Sequence, residues 1–303
     1  MTELTDFQRT ISAMLAGTEL RLNEPMATHT SFRIGGPAEV MVFPKSTAEL
    51  SAILRAAAAL QVNPAILGAG TNVLAPDEGL PGLCICLKDG MDGMELLDDG
   101  HIRMMAGVTM TRAAVFAANH GLSGMEFAHG IPGTIGGGVY MNAGAYGGEI
   151  RDICESVDVM DRNGLITTLS NEEMQFSYRH SVLEAGEGIV VSAVFRLQQK
   201  KPEEIKARMK ELQGKRAASQ PLNLPSAGSA FKRPVGGYAA ALIDQAGLKG
   251  YTVGGAAIST KHAGFAVNLG GATAADVRNL LQQVSDRVFD HSGIRLEPEV
   301  RIW

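Results

Sequence analysis

Backbone amides are the first chemistry this chain offers. In residues 130–148, GIPGTIGGGVYMNAGAYGG, eight of nineteen positions are glycine, set among Thr134, Asn142, Tyr140 and Tyr146. Glycine loses much conformational freedom on folding, so such density persists where the backbone must take positive φ or come very close to another group. Successive exposed N–H groups in turns of this kind form concavities that hold anions, which suits a phosphate or pyrophosphate. A flexible linker would be rich in serine and other polar residues, whereas this stretch interleaves Ile131, Ile135, Val139 and Met141. A second cluster, Gly68-Ala69-Gly70-Thr71-Asn72, follows the apolar run of residues 64–67. It begins like a dinucleotide fingerprint, but Val73 stands where the third glycine belongs, and Pro76, Gly79, Pro81 and Gly82 deny the helix that must follow. A G-x-x-x-x-G-K-[ST] loop is also missing from the sequence. The expectation is two strand-to-loop glycine turns that converge on one pyrophosphate without a helix dipole.

Several side chains stand out near short motifs. Ser229 lies in Ala227-Gly228-Ser229-Ala230, a small-residue turn that would expose its hydroxyl. Arg179 sits within Phe176-Ser177-Tyr178-Arg179-His180-Ser181, and its fork of donors matches a carboxylate. In Leu296-Glu297-Pro298-Glu299-Val300, alternation along a terminal strand would put Leu296, Pro298 and Val300 on one face and both glutamates on the other. Arg216 before Ser229, and Lys232 and Arg233 just after it, gather positive charge around that turn. Each has an ordinary alternative: a turn or cap for Ser229, an aromatic stack or salt bridge for Arg179, a solvated face for the glutamates, and solvated charge for the three cations.

The motifs THTSFRIGGPAEV, LGAGTNVL, GIPGTIGGGVYMNAGAYGGE, FSYRHS, SAGSAFKRP, STKHAGFAVN and LEPEV follow one another from residue 28 to residue 300. In this order they resemble the motifs of the UDP-N-acetylenolpyruvoylglucosamine reductases, also called UDP-N-acetylmuramate dehydrogenases. The resemblance implies a bacterial enzyme with FAD and NADPH that reduces an enolpyruvyl ether to UDP-N-acetylmuramate for peptidoglycan. It implies a two-part FAD-binding scaffold of the vanillyl-alcohol-oxidase/PCMH type, α+β in class, with a C-terminal α/β substrate-binding domain. Together with the glycine turns, it puts noncovalent FAD on Gly68, Ala69, Gly70, Thr71, Asn72, Val73, Thr134, Gly136, Gly137, Asn142, Ala143, Gly144 and Val190. Hydride delivered to the terminal vinyl carbon leaves negative charge on the adjacent carbon and its carboxylate, so a proton donor and an enolate stabiliser are needed. By resemblance the donor is Ser229, while Arg179 and Glu299 manage the charge. Tyr178 would cover the substrate, and Arg216, Lys232 and Arg233 would serve its diphosphate. Without an insertion between the glycine loop and Phe176, the compact type II branch is the better comparison; Arg233 stands where some relatives carry Asn. A sugar or alcohol oxidase, a class that often carries covalent flavin, and a non-catalytic flavin or UDP-sugar binder are the competing classes; the motifs around Ser229 and Glu299 disfavour the first, and the presence of Ser229, Arg179 and Glu299 together disfavours the second.

Composition fits without deciding. A chain of 303 residues, 45% of them hydrophobic, can form two or three domains with their own cores. The net charge of -5 and the lack of basic tracts argue against a nucleic-acid partner. The first twenty residues have neither a basic start nor an apolar h-region, and no stretch approaches the ~20 apolar residues of a membrane span, so a cytoplasmic protein without membrane insertion is expected. Of the three cysteines, Cys84 and Cys86 alternate with Leu83, Ile85 and Leu87, and with no metal-ligand spacing among Cys and His, buried reduced thiols and no metal site are expected. The sequence gives no reading of oligomeric state.

The elements that must carry these groups alternate at first between strand and helix. Residues 39–43 read as a strand, 46–60 as a helix opened by the pair Ser46/Glu49, and 64–67 and 83–87 as buried strands. From Met94 the pattern turns antiparallel, with a helix at 109–119 closed by Gly121, a hairpin about Asn163-Gly164, and a strand at 189–197. Pro202 opens a linker helix with Ile205, Met209 and Leu212 on one face, and a last helix runs from the pair Thr273/Asp276 through Val277, Leu280, Leu281, Val284 and Val288 to Gly293. The expected domains are 1–89 as a first FAD-binding part, to which strand 294–303 returns, 90–200 as a second, and 201–293 as linker helix and substrate-binding domain.

Overall fold

The computed structural model describes residues 4–88, 90–98, 100–186 and 188–303. By compactness the chain divides into two units: Met1–Leu22, Glu39–Ala69 and Gly82–Gly214 form the first, and Asn23–Ala38, Gly70–Pro81 and Lys215–Trp303 the second.

Among the described residues, the first unit contains the helices α1 (Asp6–Met14), α2 (Thr47–Ala59), α3 (Met110–Asn119) and α4 (Ile135–Tyr140). Ser46 caps α2 by accepting the Glu49 N–H, and the helix buries Leu50, Ile53, Leu54 and Ala57, the apolar positions a 3.6-residue period selects. A four-stranded sheet runs in the order Leu20–Pro25, Pro37–Val42, Leu80–Cys86, Ala65–Leu67. Its last pair is parallel, Ala65 against Cys84 and Leu67 against Cys86. A second sheet, ordered Ile166–Ser170, Cys154–Met160, Ile189–Arg196, His101–Met105, Met94–Leu96, is antiparallel at every pairing. Its hairpin turns at Asn163-Gly164 as the sequence suggests: Met160 faces Ile166, and Gly164 takes φ +80°. Asp161 ties that loop by accepting the Leu165 and Asn163 N–H groups, which holds its carboxyl below the usual range.

The second unit carries a four-stranded antiparallel sheet, Ser226–Ser229, Phe265–Asn268, Ala256–Ile258, Thr252–Val253. Helix α5 (Pro202–Ser219) is where the chain passes into this unit; α6 (Ala239–Gln245) and α7 (Ala274–Ser292) lie wholly within it. A reciprocal capping box between Thr273 and Asp276 starts α7, and Gly293 at φ +72° ends it. Asp77 adds two more acceptors there, to Ala274 N–H (2.7 Å) and Ala275 N–H (3.1 Å). The core unites Val277, Leu281, Val284 and Val288 of α7 with Phe32, Ile34 and Leu74 from the two early excursions of the chain.

Two expectations change. The glycine-rich run contains helix α4, so it is not helix-free. And the terminal segment does not form one strand at 296–300. It makes a single bridge, Phe231 to Pro298, followed by Arg301–Ile302 parallel to Val73–Leu74. Pro298 has no N–H with which to extend a ladder, and it is exposed while Leu296 and Val300 are buried.

Candidate active site

In the first unit the two glycine clusters meet. A Cβ on Gly68 would lie 2.5 Å from Thr134 Oγ1, so only glycine lets the strand end approach that hydroxyl. Thr134 is buried and caps α4, its Oγ1 accepting the Gly137 N–H at 3.4 Å. The helix forms despite three consecutive glycines because its other side is anchored in the core. Ile135 and Val139 are fully buried, and the Ile135 and Gly136 N–H groups donate to Val108 O (2.7 Å) and Ala106 O (2.9 Å). Tertiary packing here overrides a propensity that disfavours glycine by about 1 kcal/mol per residue. Gly136 and Gly138 are needed for that packing, since their Cβ positions lie 3.0 Å from Ala106 Cβ and 2.8 Å from Met110 Sδ. Gly137 differs. It is exposed, and its Cβ position has one neighbour within 4 Å, Thr134 Oγ1 at 3.7 Å. Val190 is buried in the adjoining strand, next to Val191, whose carbonyl accepts the Ala106 N–H.

The end of the same run grips the FSYRHS motif. Ser177 and His180 bond each other's backbone in both directions, which closes a tight turn with Tyr178 and Arg179 at its tip. Arg179 takes φ +55°, a left-handed conformation that strains a non-glycine residue by ~1–2 kcal/mol. Its guanidinium lies 5.2 Å from the Tyr178 ring centroid, and Nη2 donates to Gly144 O at 3.4 Å. Asn142, fully buried and itself left-handed at φ +45°, donates from Nδ2 to Ser177 O (2.9 Å) and accepts the Arg151 N–H on Oδ1 (2.9 Å). The side chain of Asn142 is thus committed to protein groups, and its N–H and that of Ala143 donate to Val139 O (3.2 Å) and Gly138 O (2.8 Å). Ser181, also fully buried, donates to Tyr140 O at 2.6 Å.

The second unit gathers the other set. Gly70 takes φ +59°, and a Cβ there would lie 2.1 Å from His29 O, so no other residue fits. Ser31 pins this corner: its N–H donates to Gly70 O (3.0 Å) and its hydroxyl to Ser226 O (2.6 Å). Asn72 donates from Nδ2 to Glu299 O (3.1 Å) and accepts the Arg301 N–H (2.9 Å), which fixes the strand that Val73 opens beside the chain end. Glu299 N–H in turn donates to Ala230 O, and Lys232 N–H to Glu297 O, both at 2.9 Å. Ser229, half-buried, follows a bulge at Gly228 (φ +76°). Segments around residues 31, 71, 229 and 299 are therefore stitched into one local structure. Thr71 is half-buried within it.

The cations diverge. Arg216 is 7% exposed, which a merely solvated charge would not be, and Nη1 donates to Gln220 Oε1 at 3.4 Å. Lys232 Nζ lies 3.6 Å from Glu297 Oε2 at the surface, a pair worth little in stability. Arg233 is exposed and stacks over the Tyr238 ring at 4.6 Å. The structure thus groups Gly68, Ala69, Thr134, Gly136, Gly137, Asn142, Ala143, Gly144, Tyr178, Arg179 and Val190 in the first unit, and Gly70, Thr71, Asn72, Val73, Arg216, Ser229, Lys232, Arg233 and Glu299 in the second. Sequence reasoning passed over Ser31 and Ser181, whose hydroxyls tether both groups; single serines carry no signal until their partners are known.

The thiols of Cys84, Cys86 and Cys154 are all buried, which pushes Cys84 up and Cys154 up to about 12. Among the described residues, no three His, Cys, Asp or Glu side chains are arranged to hold a metal, and no helix is long and apolar enough to cross a membrane.

Residues 38–170 match a family described as an FAD binding domain, and residues 220–303 match the UDP-N-acetylenolpyruvoylglucosamine reductase C-terminal domain. The UDP-N-acetylenolpyruvoylglucosamine reductase of Caldanaerobacter subterraneus is 46% identical, with 96% of each chain covered, and that of Agathobacter rectalis is 43% identical with 98% of each covered. The crystal structure of UDP-N-acetylenolpyruvylglucosamine reductase (MurB) from Thermus caldophilus superposes with a TM-score of 0.80 at 37% identity, covering 94% of this chain and 98% of that one. The fold class holds in its main lines: α+β, with an FAD binding domain followed by the C-terminal domain of the UDP-N-acetylenolpyruvoylglucosamine reductases. Glycine turns that touch at Gly68 and Thr134, followed by the motif segments joined around Ser229 and Glu299, are carried on a chain that aligns end to end with these enzymes, and this chain belongs to the UDP-N-acetylenolpyruvoylglucosamine reductase family, a family of FAD-dependent oxidoreductases.

Proposed function

We propose that this reductase uses NADPH to recharge FAD and then reduces UDP-N-acetylglucosamine-enolpyruvate to UDP-N-acetylmuramate, with Ser229, Arg179 and Glu299 performing the second half-reaction. The cofactor fits the residues present. Gly137 is an exposed helical glycine with room for a Cβ, at a place where alanine would serve the protein better, and that is expected of a glycine kept for a non-protein neighbour. Gly68–Asn72 with Val73, Thr134, Gly136, Gly137, residues 142–144 and Val190 would hold FAD noncovalently. Bound and reduced, FAD supplies the hydride.

The chain's own residues manage the charge that hydride addition creates. Arg179, held out on its turn, would take the substrate carboxylate in bidentate fashion and stabilise the enolate. Ser229 would give its proton to the carbon beside the carboxylate, with Glu299 oriented by its backbone bond to Ala230. Tyr178, 49% exposed at the tip of the same turn, would cover the substrate, and Arg216, Lys232 and Arg233 would meet the uridine diphosphate. Residues 1–89 with 294–303 and residues 90–200 would act as the two FAD-binding parts, 201–293 as the substrate part, in the cytoplasm.

The observation that carries this reading is the hydrogen-bonded union of the Gly70–Val73, Ser229–Lys232 and Glu297–Glu299 stretches, which sets the expected proton donor and acidic residue in one structure with part of the expected cofactor loop. The test is transient kinetics on Ser229→Ala. NADPH should reduce its flavin at nearly the wild-type rate, while reoxidation by the enolpyruvyl substrate slows by ~10²–10⁴, the usual loss of a positioned acid. Product formed by the wild type in D₂O should carry deuterium at the lactyl methine carbon. Equal slowing of both half-reactions would show that Ser229 shapes the site and does not protonate the intermediate.

A further inference from the structure

We propose that Asn142 is a positioning residue that fixes Arg179 for the substrate by clamping the 177–180 turn, an inference that rests on Arg179 being the carboxylate-binding group. The clamp has three points, all supplied by residues 140–144. Tyr140 O receives the Ser181 hydroxyl just after the turn, Asn142 Nδ2 donates to Ser177 O at its start, and Gly144 O receives Arg179 Nη2 itself. Asn142 is the central point and the one with chemical selectivity. It is fully buried, and its amide donates on one side and accepts from Arg151 N–H on the other. Aspartate keeps the acceptor but turns an oxygen toward the Ser177 carbonyl. Glutamine would bring an extra methylene into a fully buried position. Among the non-glycine residues, asparagine is also among the most tolerant of the left-handed backbone found here. Ser177 O already accepts the His180 N–H, so the Asn142 bond acts on the very carbonyl that closes the turn. Because Arg179 holds a strained conformation, losing that bond releases the turn toward ordinary φ and moves the guanidinium away.

The experiment uses flavin-loaded protein reduced without air by dithionite and mixed with UDP-N-acetylglucosamine-enolpyruvate. The Asn142 side chain is spent on Ser177 and Arg151, so Asn142→Asp should keep the wild-type flavin content, and its reoxidation at saturating substrate should slow by about 10- to 100-fold, the scale on which small misplacements act. The decisive arm is the double variant with Arg179→Ala. If Asn142 acts through Arg179, adding Asn142→Asp to Arg179→Ala changes the rate by less than about twofold, whereas independent effects multiply. Should Asn142→Asp fold poorly, Ser181→Ala removes the neighbouring tether and should slow reoxidation by about 3- to 10-fold, the scale of one hydrogen bond, again only when Arg179 is present. Multiplying effects, or flavin loss from Asn142→Asp that accounts for the slowing, overturn the inference. So do wild-type rates in both Asn142→Asp and Ser181→Ala while Arg179→Ala is slow, an outcome that leaves the role of Arg179 standing. A wild-type rate in Arg179→Ala overturns that role itself.

Discussion

Replacing Gly137 by alanine separates what the protein needs from what its cofactor needs. A Cβ at this position meets only Thr134 Oγ1, at the ordinary contact distance of 3.7 Å, and the residue is exposed in α4 with a φ any amino acid adopts. On the protein side alanine should therefore be neutral or stabilising, by up to about 1 kcal/mol, the helix preference of alanine over glycine. If FAD lies against this Cα, the added methyl overpacks the contact at a cost of about 1–3 kcal/mol, which corresponds to a loss of roughly 5- to 150-fold in FAD affinity. Gly136→Ala is the control of opposite kind, because its Cβ would press on Ala106 Cβ at 3.0 Å and on Ala106 O at 3.2 Å, so the fold itself should suffer. The assay is titration of apoprotein with FAD, followed by flavin fluorescence, beside thermal unfolding of the same apoprotein. An apo Tm at or above wild type with weakened FAD binding is the expected pair of results for Gly137→Ala. Wild-type affinity would refute the idea that this glycine is kept for the cofactor.

Acid precipitation of the yellow holoprotein should release all of its colour into the supernatant; colour retained in the pellet would mean a covalent flavin. A pH effect is expected at His101, whose ring bonds Asp98 (2.7 Å) and Glu155 (3.0 Å) and whose pKa is raised above 6.5, chiefly by the Asp98 hydrogen bond. Since the raised value belongs to the folded state, this contribution is complete below pH 6.5 and fades as pH climbs through the folded pKa. The Tm advantage of wild type over His101→Gln should accordingly shrink above pH 6.5, and an advantage that grows there would reverse the sign of the argument.

Helices α2 and α7 were legible because two independent signals agree at each: a capping pair at the start, and an apolar stripe that the structure buries residue for residue. The antiparallel sheet from Met94 on was legible for a similar reason, through Asn163-Gly164 between two alternating runs. Helix α4 was not, since glycine density argues against helix and only the burial of Ile135 and Val139, a tertiary fact, outweighs it. Equally hidden was the union of Phe32, Ile34 and Leu74 with the core of α7 about two hundred residues later, because nothing local encodes such long-range pairing. Of the site, the motif residues could be named but not their tethers. Asn142 reads as one more polar residue in a glycine loop until Ser177, thirty-five positions on, supplies its partner.

Three of the left-handed non-glycine residues, Asn142, Tyr146 and Arg179, belong to segments of the candidate site in the first unit. Tyr146 is paired with Gly147, φ +55° and +88°, in a two-residue hairpin loop joining Gly144–Ala145 to Gly148–Glu149, a turn where asparagine or glycine is the easier first residue. At ~1–2 kcal/mol apiece, these conformations consume a noticeable part of a stability that is commonly 5–15 kcal/mol in all. They survive because the surroundings over-determine them, Asn142 by two side-chain bonds and the Arg179 turn by two backbone bonds and the clamp. Asn23, Arg33, Gln61 and Gln175 hold positive φ as well, so strain by itself does not mark a site; at Arg179 it coincides with the proposed carboxylate-binding role, and an arginine held where asparagine or glycine would relax the chain accords with a side chain wanted at that place.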